Sequence, residues 1–134
     1  MDTTKLIDSL VDTYRQLNVR FRNQNESAEA KAIVGRMRDD EIAFSQALKD
    51  HLTGIGTAGG EETEIVDGSD ETLAQIISQF GSVRATTLNM LKQIRDGSGW
   101  NDLTEDGKSI LEHVQDLVES DRVQLDRLGQ ALGV

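Results

Sequence analysis

Apolar residues recur at intervals of three and four in four segments of the chain, and this period predicts four amphipathic helices. The first runs from Thr4 to Arg22, with Leu6, Leu10, Tyr14, Leu17 and Phe21 on one stripe, flanked by Ile7 and Val11. The second opens at Ser27, a residue type that caps helix N-termini, and continues to Leu52 through Ile33, Met37, Phe44 and Leu48, supported by Ala30 and Val34. The third starts after Ser69 or Asp70, follows Leu73, Ile76, Ile77, Phe80, Val83, Leu88, Leu91 and Ile94, and stops at Gly97. The fourth begins at Thr104, where Glu105 and Asp106 suit the positive end of the helix dipole. It carries Ile110, Leu111, Val114, Leu117, Val118, Leu125, Leu128 and Leu132.

Helices of this size are roughly 28 to 42 Å long at 1.5 Å per residue. Each has one apolar stripe to bury, so the expected architecture is an all-α four-helix bundle, with residues 1–134 as one domain. The links at 23–26 and 98–103 are short and predict antiparallel neighbours. The link from Thr53 to Ser69 is long, holds five glycines, and when extended reaches roughly 50 Å, enough to cross the whole bundle. The second and third helices are then expected to run the same way, in up-down-down-up order, although length alone leaves an up-down-up-down bundle open. Thr63–Val66 has the character of a short extended piece inside that link.

Composition narrows the function. The chain carries 24 acidic and 14 basic residues for a formal charge of −10, which opposes binding to nucleic acid or to an anionic membrane surface. Arg15, Arg20 and Arg22 form the best local basic patch, and a solvated helix end accounts for them. With no cysteine there is neither disulfide nor thiolate chemistry, in keeping with a cytoplasmic setting. No apolar run approaches the length of a signal core or a membrane span. Proline is absent, so nothing in the sequence breaks the long segments.

Candidate chemistry lies where polar residues interrupt the stripes. Asp40 and Glu41 lie between Met37 and Phe44, and Asp121 lies between Val118 and Leu125. Such carboxylates either reach water at the stripe edge or join a polar cluster between helices, since an unpaired buried charge is costly. A site made of carboxylates alone suits hard cations, but no EF-hand spacing is present. Arg36 lies four residues before Asp40 on the same side of its helix, and Ser120 and Gln124 form a similar pair. The only histidines are His51 and His113, which an up-down-down-up order brings to one end of the bundle. Two imidazoles are one short of a catalytic zinc triad, and neither follows a glutamate by three residues as a diiron bundle requires. No GxSxG, phosphate-loop or HExxH motif occurs. Trp100, the single tryptophan, suits either a plug over the bundle end or one wall of a ligand pocket there.

The segment Ile33-Val34-Gly35-Arg36-Met37-Arg38-Asp39-Asp40-Glu41 resembles the second-helix signature of the DinB/YfiT-like bundles. The stretch from Ile110 through His113 to Val118-Glu119-Ser120-Asp121-Arg122-Val123-Gln124-Leu125 is similar to that family's last helix. The resemblance implies an up-down-down-up bundle, often homodimeric, with a divalent metal held by three histidines and, in some members, thiol-dependent transferase or isomerase activity. Carried onto this chain, the ligand positions are Arg36, Ser120 and Gln124. Arginine stays protonated and cannot ligate a metal, and serine and glutamine are poor ligands for zinc or nickel. No cofactor and no metal are therefore expected. An ion-pair network of Arg36, Asp40 and Asp121, assisted by Ser120 and Gln124, is expected at the old metal site.

These observations point to a non-catalytic or vestigial DinB-like bundle. It would serve as a binding or interaction module through a small-molecule pocket between the second and fourth helices or through a dimer face. The alternative is a thiol-dependent transferase or isomerase-like enzyme of the same superfamily, with or without a divalent metal, in which Arg36 binds an anionic substrate.

Overall fold

The computed structural model describes residues 3–24, 27–53, 71–94, 98–103 and 107–133. Four helices account for most of them: α1 (Thr3–Gln16), α2 (Ala28–Thr53), α3 (Leu73–Gln93) and α4 (Ile110–Leu132). α1 runs on without a break into a π-helical turn, Leu17–Phe21, closed by the Arg22 N–H donating to the Leu17 carbonyl at 3.0 Å. A 3₁₀ turn, Ser98–Asn101, precedes α4.

The helix starts follow side-chain capping. The Ser27 hydroxyl accepts from the Ala30 N–H at 3.2 Å, as its residue type predicts. Thr72 with Gln75, and Ser109 with Glu112, form reciprocal capping boxes, each satisfying two otherwise orphaned N–H groups. Three expected boundaries move, two of them helix starts set by these caps. α3 is capped by Thr72 rather than Ser69 or Asp70, and it ends at Gln93, before the expected stop at Gly97. α4 begins at Ile110 rather than Thr104. Gly107 takes a positive φ of 83°, and Leu103 pairs with Ser109 in an isolated bridge, so the chain turns back before the helix starts. Ser69, Asp70, Gly97, Glu105, Asp106 and the extended piece expected at Thr63–Val66 lie outside the described residues.

Two apolar clusters fix the direction of every helix. One joins Leu17 and Phe21, after α1, to Val34 and Met37 early in α2, Leu73 to Phe80 early in α3, and Leu125 and Leu128 late in α4. The other joins Leu6, Ile7 and Leu10 of α1 to Leu48 of α2, Leu88 and Leu91 of α3, Trp100, and Ile110 and Val114 of α4. α1 and α4 therefore run one way and α2 and α3 the other, an up-down-down-up bundle. Among the described residues the closest backbone packing pairs α2 with α3, α2 with α4, α1 with α4 and α1 with α3. The helices joined by short links are antiparallel as expected, but they face each other across the bundle rather than forming its closest pairs.

The Tyr14 ring of α1 packs directly on α3 at Gly81. A Cβ built there falls 2.3 Å from Tyr14 ring atoms, far inside van der Waals contact. Gly81→Ala is expected to lower stability by about 1–3 kcal/mol in urea denaturation, because displacing the ring outweighs the helix-propensity gain of about 1 kcal/mol. The loss should shrink when Tyr14→Ala is also present.

Candidate functional site

The interior of a four-helix bundle is normally apolar, yet here the two apolar clusters are separated by a charged layer. Arg84, on α3, lies four residues after Phe80 and four before Leu88, which places it on the buried stripe. Its side chain is 1% exposed. Nε donates to Glu41 Oε2 at 2.9 Å and Nη2 donates to Glu41 Oε1 at 2.9 Å, a two-pronged contact with α2. Nη2 also donates to Asp121 Oδ1 at 3.0 Å and Nη1 to Asp121 Oδ2 at 2.9 Å, both on α4. Nη1 further donates to the Leu10 carbonyl of α1 at 2.9 Å. A guanidinium has five N–H donors, and these contacts use all of them. The guanidinium carbon stands 4.8 Å from the Phe80 ring centroid, adding a cation–π contact. The Thr13 hydroxyl of α1 donates to Asp121 Oδ2 at 2.7 Å.

The carboxylates are as secluded as the arginine, with side-chain exposures of 0% for Glu41 and 8% for Asp121. Burial alone pulls the Arg84 pKa down, but the hydrogen bonds and charges of Asp121 and Glu41 outweigh it and raise the net value. A raised folded-state pKa stabilises the fold wherever pH lies below the unfolded value. The contribution is therefore complete at neutral pH and is lost as a strongly alkaline solution passes through the folded value.

Of the residues expected to build the site, Asp121 lies in this layer, whereas Arg36, Asp40, Ser120 and Gln124 lie beside it. Arg36 and Asp40 form an ion pair at 3.7 Å, but their side chains are 79% and 65% exposed. Ser120 is exposed and Gln124 half-buried. Each of these four immediately precedes a buried position: Met37, Glu41, Asp121 and Leu125 respectively. One residue is a 100° rotation on a helix, enough to turn a side chain out of the core. The network expected around Arg36 is thus corrected to one around Arg84, with Asp121 common to both. The donor set at Arg36, Ser120 and Gln124 does not fit a metal, since the first is a solvated cation and the second also faces water. Among the described residues no three histidine, aspartate or glutamate side chains are grouped to hold a metal ion.

His51 and His113 lie toward the same end of the bundle. His51 Nε2 is 3.7 Å from Asp102 Oδ2, and the His113 ring packs 6.0 Å from Phe44. Trp100, 3% exposed, plugs that end within the second apolar cluster. The arginines near the end of the first helix form no joint patch: Arg15 pairs with Asp12, Arg20 donates to Gln16 and lies over Phe21, and Arg22 is bonded to Asn18 and Ser78.

The charged layer borders a groove of about 580 Å³ between the parallel helices α1 and α4. Thr13, Asp121, Val118 and Leu125 form its inner part, and Asp8, Asp12, Asp126, Arg20 and Arg122 are among its outer residues. The expected pocket lay between the second and fourth helices, but α2 contributes no residue to this groove. Among the described residues no helix is long and apolar enough to cross a membrane. No protein-family model, curated protein or solved structure matches the chain.

Arg84→Met leaves two buried carboxylates without their counter-charge and is expected to cost about 3–5 kcal/mol in denaturant unfolding. The triple change Glu41→Leu, Arg84→Met, Asp121→Leu removes the whole set. It is expected to be neutral or stabilising by about 1–4 kcal/mol, because burying the charges carries a desolvation cost that apolar packing avoids. A triple variant as unstable as the single one would show that the layer supplies net stability.

Proposed function

We propose that this chain is a non-catalytic DinB-like bundle that works as a binding or interaction module, with a structural ion-pair layer at its centre and no metal-ligating side chains at the positions the family resemblance assigns to the metal. The observation that carries the reading is the saturation of Arg84. Its five donors are committed to Glu41, Asp121 and the Leu10 carbonyl, leaving none for a substrate. The open α1/α4 groove is a surface available for recognition among the described residues. The homodimer enters this proposal on the family resemblance alone, and the cytoplasmic setting on the cysteine-free composition.

Calorimetric titration with zinc and with nickel at neutral pH is expected to give no saturable heat in the micromolar range. Micromolar binding of either ion would overturn the metal-free reading.

A further inference from the structure

We draw no further inference here: the strongest candidate, the uncharged outer face of α3 formed by Ser82, Ala85, Thr86 and Asn89, is a stripe of small residues, and nothing in the structure shows what covers it.

Discussion

Everything in this bundle is arranged around one saturated guanidinium. Arg84 reaches a partner on each of the other three helices: the Leu10 carbonyl of α1, Glu41 of α2 and Asp121 of α4. Apolar stripes tolerate sliding by a turn, because one leucine replaces another at the contact. A fork with five fixed donors is satisfied in one register only. The layer thus holds the helices to one register, while desolvating three charges consumes much of their mutual attraction.

The layer also shapes the packing on either side. It divides the interior into two apolar clusters, one of which holds Phe21 and Phe80 and the other Trp100. Buried Ser45 and Thr87, further along α2 and α3, extend the polar zone toward the second cluster. Gly81, one turn before Arg84, lets α1 come close, and Arg84 Nη1 reaches the α1 backbone beside that approach. A close crossing and a buried charge are therefore coupled through three residues of one helix. The same coupling places Asp121 against the α1/α4 groove, so a structural network and a candidate recognition surface share a carboxylate.

Much of the fold was legible from periodicity. The four apolar stripes, the Ser27 cap and the long crossover all follow from spacing, residue type and link length, and the up-down-down-up order agrees with the crossover argument. The stripe breaks at Glu41 and Asp121 were also visible, because a charge between apolar repeats stands out. Arg84 carried the same signal, four residues from both Phe80 and Leu88, but adjacent Val83 offered an apolar alternative for the stripe. The Arg36 network misjudged helical phase by one residue. A 100° error costs nothing in a pattern that admits neighbouring positions, yet it moves a side chain from core to solvent.

The sequence by itself determined the helices, their amphipathic faces and the acidic character of the chain, because these depend on local order and composition. Only the tertiary structure decided which arginine meets which carboxylate and that α1 and α4 leave a groove between them. It also decided that helices joined by short links stand across the bundle from each other. Those outcomes depend on the rotation of each helix about its axis and on packing between residues far apart in the chain, as with Thr13 and Asp121, 108 positions apart. A one-dimensional pattern constrains such rotation only to within a residue, and the donor geometry of a buried guanidinium requires better than that.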